Sequence, residues 1–401
     1  MSLNSTVSAE RAHIAFFGMR NAGKSSLVNA VTNQELCVVS DTPGTTTDPV
    51  RKAMELLPIG PVVIIDTPGM DDEGILGELR VKKAKQILSQ TDIAILTVDA
   101  SRGICDADKE LISLFEERSI PYITVFNKSD LLSVIPNAEE NSIYVSALKN
   151  ENINELRKML GALHAKQPKN TKRIVADLLN TGDIAVLVIP IDESAPKGRL
   201  ILPQQQTIRD ILDAGASVVA CRDSELASTL GSLAVKPKLV ITDSQAFGKV
   251  SKDTPSDIML TSFSILFARY KGELETLVKG AAKLDSLKDG DTILISEGCT
   301  HHRQCNDIGT VKMPAWITSY TGKKLNFSYT SGNEFPENVS DYALVVHCGA
   351  CMLNEKEMHD RLRRIALSDT PCVNYGIAIA HIHGILKRSL EPFPDIANMI
   401  S

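Results

Sequence analysis

The chain has 401 residues, a formal net charge of −6 and only 4% aromatic residues. This length predicts about two to four domains. The acidic balance and the scarcity of aromatic side chains argue against a nucleic-acid-binding surface spread over the whole molecule. Because no apolar run reaches the length of a membrane span and residues 1–18 lack the pattern of a secretion signal, we expect a cytoplasmic protein without membrane or nucleic-acid partners.

The first part of the chain, from His13 to about Ala165, alternates short apolar segments with helical stretches. The apolar segments are IAFFG, VVIID, IAILTVD, YITVFN and IYVS. This alternation predicts a parallel sheet flanked by helices. The polar and basic segment Ala165–Arg173 is typical of a linker.

Two more units of alternating strands and helices are predicted after the linker. The first contains IAVLVIPID, SVVACR and KLVITD, with a helix from about Gln205 to Ala214 and a closing helix around Ile258–Lys271. The second begins near Gly272 and contains DTILISEGC, LNFSYTSG and YALVVHCG as strands. Both patterns are typical of Rossmann-like α/β domains.

The segment from Gly18 to Ser25 predicts a phosphate-binding loop (P-loop). Its sequence, GMRNAGKS, matches G-x-x-x-x-G-K-[ST], follows a predicted strand and precedes the helical stretch LVNAVTNQ. In such a loop the backbone N–H groups bind phosphates, Lys24 reaches the terminal phosphates, and the Ser25 hydroxyl ligates magnesium. The predicted phosphate-binding residues are Gly18, Asn21, Ala22, Gly23, Lys24, Ser25 and Ser26.

Two further segments predict the magnesium side of the same site. Asp66-Thr67-Pro68-Gly69 follows the strand VVIID, so Asp66 lies at the carboxyl edge of the sheet, where it can hold magnesium through water. The Gly69 amide can then sense the γ-phosphate. A threonine-rich loop between the two motifs can close on magnesium, with Thr46 as the preferred ligand and Thr45 beside it.

Two later motifs predict that the nucleotide is GTP. Asn127-Lys128-Ser129-Asp130 follows the strand YITVFN. A carboxylate at Asp130 can accept two hydrogen bonds from guanine N1 and N2, which adenine does not offer. Ser146-Ala147 fits the backbone contact to guanine O6. We therefore add Asn127, Lys128, Asp130, Ser146 and Ala147 to the expected nucleotide site.

The four motifs in this order resemble the Era and TrmE group of GTPases, over about residues 10–165. In that group an asparagine at the position of Asn21 is associated with a potassium ion that supplies positive charge near the transferred phosphate, so the resemblance implies potassium stimulation. Arg20 is an alternative source of that charge, or a solvated side chain. No glutamine directly follows the DTPG motif to orient water, so we expect slow hydrolysis, which suits a switch. The expected catalytic residues are Lys24, Asn21, Thr46 and Gly69.

The eight cysteines need an explanation other than structural disulfides, because cytoplasmic thiols stay reduced. Two clusters, Cys299-Thr300-His301-His302 and His347-Cys348-Gly349-Ala350-Cys351, each follow a predicted strand and can emerge at one edge of a sheet. Inert buried cysteines, a structural zinc, a redox pair and an iron–sulfur cluster with three thiolates and one exchangeable position are the alternatives. We favour the iron–sulfur cluster, since a redox pair leaves Cys299 unexplained.

The combination of an Era-like GTPase segment with C-x-H, a long gap and H-C-x-x-C resembles the HydF family of FeFe-hydrogenase maturation GTPases over the whole chain. The segment APKGRLILPQ, residues 195–204, also resembles the middle domain of that family. The resemblance implies a GTPase domain at 1–168, a dimerisation domain at 174–271 and an iron–sulfur domain at 272–401. It also implies a homodimer or higher oligomer.

The same resemblance implies a chemistry for the second half of the chain. A 4Fe-4S cluster would be bound by Cys299, Cys348 and Cys351, and a di-iron precursor with CO and cyanide ligands would be the cargo. The partners would be apo-FeFe-hydrogenase and two radical-SAM maturases, and this scaffold role would be non-catalytic.

The fourth cluster position is open. His301 and His347 can be ligands, or can donate hydrogen bonds that tune the cluster; Cys305, Asp307 or another carboxylate are further candidates. Further histidines and cysteines are expected to be surface or core residues, among them His302, His359, His381, His383, Cys37, Cys105, Cys221 and Cys372.

A competing hypothesis is an Era- or TrmE-like GTPase that acts on RNA or the ribosome and carries a structural zinc in its C-terminal domain. The acidic net charge and the lack of a basic, aromatic platform count against it. A redox enzyme is less favoured still, because the sequence has no G-x-G-x-x-G loop for a second cofactor.

Overall fold

A computed structural model describes residues 11–34, 49–68, 86–167, 172–191, 200–271, 273–298, 307–332, 334–350 and 353–400. The chain forms two compact units, residues 1–170 and 171–401. The domain boundaries expected from the sequence, at 168, 174 and 271, stay a prediction.

The first unit is built on a six-stranded sheet among the residues described. Its strands are β1 (Ala12–Phe17), β2 (Val50–Leu56), β3 (Gly60–Asp66), β4 (Ile93–Asp99), β5 (Tyr122–Asn127) and β6 (Ser142–Tyr144). The order across the sheet is β2-β3-β1-β4-β5-β6, with β2 antiparallel to β3 and all other pairs parallel. Helices with both ends in the described residues are α1 (Lys24–Thr32), α2 (Asp106–Glu117) and α3 (Ile153–Lys166), with a 3-10 turn at Ser129–Leu131.

Alternation along the central strands covers both faces of this sheet. In β1, Ile14 and Phe16 pack into one core with Leu27 of α1, whereas Ala15 and Phe17 pack into the other core. Because successive side chains of a strand point to opposite faces, a fully apolar strand is the pattern of a sheet covered by helices on both sides.

The second unit contains two four-stranded parallel sheets among its described residues. The first consists of β7 (Ile184–Val188), β8 (Ser217–Cys221), β9 (Leu239–Thr242) and β10 (Met259–Ser262), in the order β10-β9-β7-β8. The other consists of β11 (Thr292–Ser296), β12 (Asn326–Thr330), β13 (Leu344–His347) and β14 (Cys372–Asn374), in the order β12-β11-β13-β14. Numbered within each sheet, both have the strand order 2-1-3-4.

The helices of the second unit alternate with these strands. They are α4 (Leu202–Asp213), α5 (Leu226–Ser232), α6 (Phe247–Asp253), α7 (Phe263–Tyr270), α8 (Leu274–Ala281), α9 (Met313–Thr321), α10 (Glu355–Leu367), α11 (Tyr375–Ile382), α12 (Leu386–Ser389) and α13 (Pro394–Ala397). Short 3-10 turns lie at Ala176–Leu178, Ser244–Ala246 and Ala282–Ser286, and a π turn lies at Ile308–Lys312.

One continuous apolar core joins the two sheets of the second unit. The Asn374 amide, which caps the start of α11, donates to the Ser264 carbonyl at the start of α7, 3.2 Å away. A Cβ on Gly376 would lie 2.3 Å from Cβ of Ser264, and one on Gly280 would lie 1.8 Å from the Cys372 carbonyl oxygen. Glycine is therefore required where these elements approach most closely.

The predicted α/β class, with a P-loop domain followed by two further α/β sheets, is confirmed, but individual elements differ. The helix expected at Ile258–Lys271 is wrong in its first part, which is the strand β10; α7 begins only at Phe263. The Ser262 hydroxyl accepts from the Ile265 amide at 3.2 Å, which fixes the helix start there, and an unbroken apolar run gives no period that separates strand from helix.

Three more expectations needed adjustment. The helix expected from about Gln205 begins at Leu202 and ends at Asp213; the Gln204 side chain accepts from the Ile201 amide at 3.0 Å, which fixes the helix start. The helix α3 extends to Lys166, two residues into the predicted linker. Strands β2 and β14 were not among the predicted segments.

Candidate functional site

The P-loop turns at the carboxyl end of β1, in the middle of the first sheet. Gly18 has φ +139°, and a Cβ there would lie 2.1 Å from the Thr97 carbonyl oxygen of β4. Gly23 has φ +84° and precedes α1 directly, with Asn127 Nδ2 2.3 Å from where its Cβ would be. Only glycine fits both positions, so the loop motif is a packing requirement as well as a phosphate-binding one.

Lys24 lies at the centre of the loop. Its side chain is 8% exposed, and its ammonium donates to the carbonyls of Gly18 and Met19 at 3.0 and 2.9 Å. The charge is therefore held inside the ring of backbone amides that would surround a phosphate chain. Asn21, with φ +62°, lies on the exposed rim of the same loop, and Ser26 is half-buried in the first turn of α1.

The two residues expected at magnesium are brought together by β3. The Ser25 hydroxyl donates to Asp66 Oδ2 at 2.6 Å, and Asp66 is 1% exposed. Thr67 fixes the chain after Asp66, because its amide and hydroxyl both donate to the Phe16 carbonyl, at 3.2 and 2.7 Å. A hydroxyl and a carboxylate at this spacing are hard oxygen donors of the kind that magnesium takes.

Asn127 joins the P-loop to the base-binding segments. Its Nδ2 donates to the carbonyls of Ala22 and Gly23, at 3.1 and 3.4 Å, and its Oδ1 accepts from the Ala147 amide at 3.0 Å. One buried side chain thus fixes the distance between the phosphate end and the guanine end of the site. The Ala147 amide can therefore make the expected bond to guanine O6 only if it shares its hydrogen between O6 and Asn127 or gives up the bond to Asn127.

Asp130 and Ser146 contact each other at the expected base site. The Ser146 hydroxyl bonds to the Asp130 carboxylate and lowers the pKa of Asp130 below its ordinary value of 3.8. Ser146 itself is fully buried. Asp130 is therefore ionised at neutral pH, as a group that accepts two N–H bonds from guanine must be.

Asp99 belongs to this site although the sequence analysis did not select it. It ends β4, and its Oδ2 accepts from the Lys128 ammonium at 2.6 Å. Burial works to raise the pKa of Asp99, but bonds from Lys128 and Ser101 lower it below the usual value. The signal was an acidic residue at the carboxyl end of a central strand, where ligand-positioning residues collect.

Several expected site residues lie outside the described residues. They are Thr45, Thr46, Gly69, Cys299, His301 and Cys351, together with Cys37, His302 and Cys305. Among the residues that the structure does describe, no group of three or more histidine, cysteine or acidic side chains is placed to hold a metal ion. In that same part of the chain, no helix has the length and apolar character to cross a membrane.

Cys348 lies directly after β13, and two backbone amides point at its sulfur. The Gly298 amide donates to Cys348 Sγ at 3.0 Å, and the Ala350 amide donates to it at 3.4 Å. Ala350 reaches this position with φ +51°, which closes the turn. N–H bonds to sulfur favour the thiolate, the form that binds metals.

His347 is fully buried behind Cys348. Burial, together with the nearby Arg361 charge, lowers the pKa of His347 to about 3, so the imidazole is neutral. Its Nδ1 lies 2.8 Å from the Cys348 carbonyl oxygen, and its Nε2 lies 3.0 Å from an Arg361 nitrogen. Both ring nitrogens are engaged within the protein.

Tyr375 lies close to two buried acidic groups and to Cys348. Glu297 and Asp307 are 4% and 9% exposed, and the Tyr375 hydroxyl donates to Glu297 at 3.4 Å. Burial and the charges of Cys348, Glu297 and Asp307 raise the pKa of Tyr375. Asp307 also caps the turn at Ile308–Lys312, because its Oδ2 accepts from the Thr310 amide at 2.8 Å.

Lys271 reaches the same loop from the other sheet of the second unit. It follows α7, and its ammonium donates to the Ala350 carbonyl and, at 3.5 Å, to the Leu353 carbonyl. The two carbonyls flank Cys351 in sequence, so a positive charge is fixed beside the predicted ligand segment. Nothing in the spacing of the motif pointed to Lys271.

Several of the remaining cysteines and histidines in the described ranges are buried or have local partners. Burial raises the pKa of Cys372 to about 12, and the Cys105 thiol donates to Asp108 at 3.2 Å. His381 bonds to Asp285 at 3.1 Å. His359 bonds to Glu273 and Glu355, which raise its pKa to about 9.

Family models match three successive parts of the chain. Residues 13–128 match the model described as "50S ribosome-binding GTPase". Residues 174–272 match "Hydrogen maturase F dimerization domain", and residues 275–392 match "Hydrogen maturase F tetramerization domain". The two hydrogen maturase F models together span more than half of the chain.

The chain belongs to the hydrogen maturase F family. Its first unit is a GTPase domain, for which GTP and magnesium are the ligands, and its second unit carries the domains of a homo-oligomer.

Curated relatives match the GTPase part of this chain. A tRNA modification GTPase MnmE of Nitrosomonas europaea is 36% identical over 152 residues, 37% of this chain and 33% of that protein. GTPase Der of Kosmotoga olearia is 40% identical over 125 residues, 30% of this chain and 28% of that protein. The chain thus spans about a third of the length of the curated relatives it matches.

A solved structure of Aquifex aeolicus Era bound to GDP.AlF4- also resembles the chain. It is 20% identical, with a TM-score of 0.36, and the match covers 52% of this chain and 92% of that one.

Proposed function

We propose that this protein is a GTP-hydrolysing scaffold for the maturation of FeFe-hydrogenase. In this proposal a 4Fe-4S cluster is held by Cys299, Cys348 and Cys351, and a di-iron precursor with CO and cyanide ligands is the cargo passed to the apo-hydrogenase. Two radical-SAM maturases would be the other partners. The family and the GTPase domain support the maturation role.

One observation supports the cluster most directly. The sulfur of Cys348 accepts bonds from the amides of Gly298 and Ala350, which immediately precede Cys299 and Cys351 in the sequence. Cys299 and Cys351 are therefore each bonded covalently to a residue whose amide contacts the Cys348 sulfur. Cys299 and Cys351 themselves are separated by about 50 residues in the chain.

The surroundings of Cys348 also fit such a group. When bound, the cluster would supply an iron with an exchangeable fourth ligand, which suits a carrier that must release its cargo. The amides of Gly298 and Ala350 stabilise the thiolate, and the ammonium of Lys271 balances negative charge beside Cys351. Glu297 and Asp307 supply carboxylates at the same edge of the sheet.

The nucleotide site supports a magnesium-dependent switch. Lys24 would stabilise the charge of the transferred phosphate, and Ser25 and Asp66 would hold magnesium directly and through water. Hydrolysis is proposed to be slow, and Asn21 on the rim of the loop is proposed to bind the potassium ion. Thr46 and Gly69 would complete the site on the γ-phosphate side.

The cluster is tested by iron and acid-labile sulfide analysis of anaerobically reconstituted protein. We expect wild type to contain close to equal amounts of iron and sulfide, and Cys299→Ser, Cys348→Ser and Cys351→Ser each to lose most of both. Cys221→Ser, at the carboxyl end of β8, is the control and should keep the wild-type content of iron and sulfide. Unchanged iron in the three variants would refute the cluster assignment.

The metal analysis also separates the competing hypothesis. Zinc without sulfide, lost in the same three variants, would favour a GTPase that acts on RNA or the ribosome and carries a structural zinc.

Potassium stimulation has its own test. Replacing potassium chloride by sodium chloride at equal ionic strength should slow GTP hydrolysis in wild type. Asn21→Ala should abolish that difference, since the proposed ligand is removed. Equal wild-type rates in the two salts would eliminate the role of Asn21.

A further inference from the structure

A permanently charged side chain is buried behind the proposed cluster segment. Arg361, on the inner face of α10, is 2% exposed and is among the largest fully buried side chains in the described residues. A guanidinium cannot shed its charge at neutral pH, so its burial has to be compensated by directed contacts.

Those contacts join the carboxyl ends of two neighbouring strands. One Arg361 nitrogen donates to Ser296 Oγ at the end of β11, at 3.3 Å, and to His347 Nε2 at the end of β13, at 3.0 Å. The second terminal nitrogen, Nη2, donates to the Gly332 carbonyl at 2.5 Å and to Glu357 at 2.8 Å. Ser296 and His347 are register partners, and the two predicted cysteine segments begin within three residues of them.

The direction of these bonds fixes the tautomer of His347. Because a guanidinium only donates, His347 Nε2 must accept, and the ring proton must lie on Nδ1. That proton is then donated to the Cys348 carbonyl, 2.8 Å away. A chain of donors therefore runs from Arg361 through His347 to the peptide of Cys348.

We propose that Arg361 and His347 are positioning residues of the cluster site, and that His347 is not the fourth iron ligand. Arg361 holds the imidazole, and the imidazole orients the Cys348 peptide so that its sulfur meets the Gly298 and Ala350 amides. This inference rests on the proposed function. N–H bonds to sulfur stabilise the more negative, reduced cluster, so their loss lowers its reduction potential.

Two substitutions of His347 separate positioning from ligation. Asparagine places an amide nitrogen near the position of Nδ1 and can still donate to the Cys348 carbonyl, whereas leucine cannot donate at all. We expect reconstituted His347→Asn to keep the iron content, midpoint potential and EPR g values of wild type. His347→Leu should keep its iron but show a lower potential and shifted g values.

A third variant tests Arg361 without leaving a charge alone in the core. Arg361→Met combined with Glu357→Met removes both members of the buried pair. We expect it to retain its cluster and to lower the potential in the same direction as His347→Leu. Wild-type potentials in this double variant and in His347→Leu would overturn the inference.

Ligation is measured directly with 15N-histidine labelling and pulsed EPR of the reduced cluster. We expect that His347→Asn removes no strong 15N coupling from the spectrum of the wild-type protein. A strong coupling lost in that variant, together with lost iron, would overturn this inference while leaving the cluster proposal intact. A wild-type protein that takes up no iron and sulfide would overturn both.

Discussion

The carboxyl edges of the first and the third sheets both carry a proposed site, but they are held together in different ways. At the first sheet, Lys24 and Ser25 are themselves part of the loop they stabilise, and Asn127 bonds directly to that loop. At the third sheet, Cys348 is supported through His347 by Arg361, which lies on a following helix. The nucleotide site should therefore lose function before stability, and the cluster site should lose stability first.

The largest effect on stability is expected when Glu357, the buried acid that faces Arg361, is removed. Glu357→Ala leaves an uncompensated guanidinium in the core and should lower the free energy of unfolding of the second unit by about 3 kcal/mol or more. Urea unfolding followed by fluorescence of Trp316, the single tryptophan of the chain, measures it.

A control on the same helix sharpens this test. Glu355 has a side chain that is 41% exposed and pairs with Lys172. Replacing it by alanine should lower the free energy of unfolding by less than about 1 kcal/mol. Equal losses for the two variants would contradict the claim that buried charge supports the cluster edge.

The next largest effect is expected on the rate of GTP hydrolysis alone. Lys24→Ala removes the charge at the centre of the P-loop and should slow GTP hydrolysis at least about 100-fold. Phosphate release under single-turnover conditions measures it, with Lys109→Ala as the exposed control, whose side chain is 66% exposed. Turnover near wild type in Lys24→Ala would refute the assigned mechanism.

A smaller effect is expected where the two ends of the nucleotide site are joined. Asn127→Ala removes bonds to Ala22, Gly23 and Ala147 and should weaken GDP and GTP alike, by about tenfold, or about 1.4 kcal/mol. Fluorescent-nucleotide titration checks this, and Asn154→Ala on the exposed face of α3 should bind as wild type does. A loss confined to GTP would argue that Asn127 acts on the γ-phosphate instead.

The smallest effect depends on pH. Glu273 and Glu355 raise the pKa of His359 from 6.5 to about 9, so the protonated pair stabilises the fold fully below about pH 6.5 and is lost as the pH rises through 9. His359 is half exposed, so solvent screening limits this to about 0.5 kcal/mol. In His359→Gln the fall in urea midpoint between pH 6.5 and 9 should be shallower. An unchanged slope would assign that fall to other groups.

Much of the nucleotide site follows from sequence because its parts are contiguous. The glycines, Lys24 and Ser25 stand in one loop; Asp66 and Asn127 each end an apolar strand, and Asp130 lies in the turn that follows Asn127. Parallel topology then brings the strand ends to one edge. The contact between Ser25 and Asp66 needed no more information than this.

The residues that support the proposed cluster site, Arg361 and Lys271, were missed because they are distant from the cysteines in sequence. Arg361 gave one local signal: it lies on the buried face of α10 with Met358, Leu362 and Ile365, where an arginine requires partners. Its partners could not be chosen from the sequence, since they come from β11, β13 and the segment at Gly332. Lys271 gave no signal at all, because its contact depends on how the two sheets of the second unit pack.

The common strand order of the two sheets in the second unit offers an opening for protein engineering. Val188 and Thr242 end β7 and β9 in register, as Ser296 and His347 end β11 and β13. The sheet formed by β7 to β10 thus has the same connectivity as the sheet formed by β11 to β14, but the sequence has no cysteine cluster at the ends of β7 and β9. It can therefore serve as the recipient of a transplanted site. Transplanting the segments that follow β11 and β13 onto β7 and β9 would ask whether a loop pair alone makes a metal scaffold, or whether the recipient must also be given its own buried arginine.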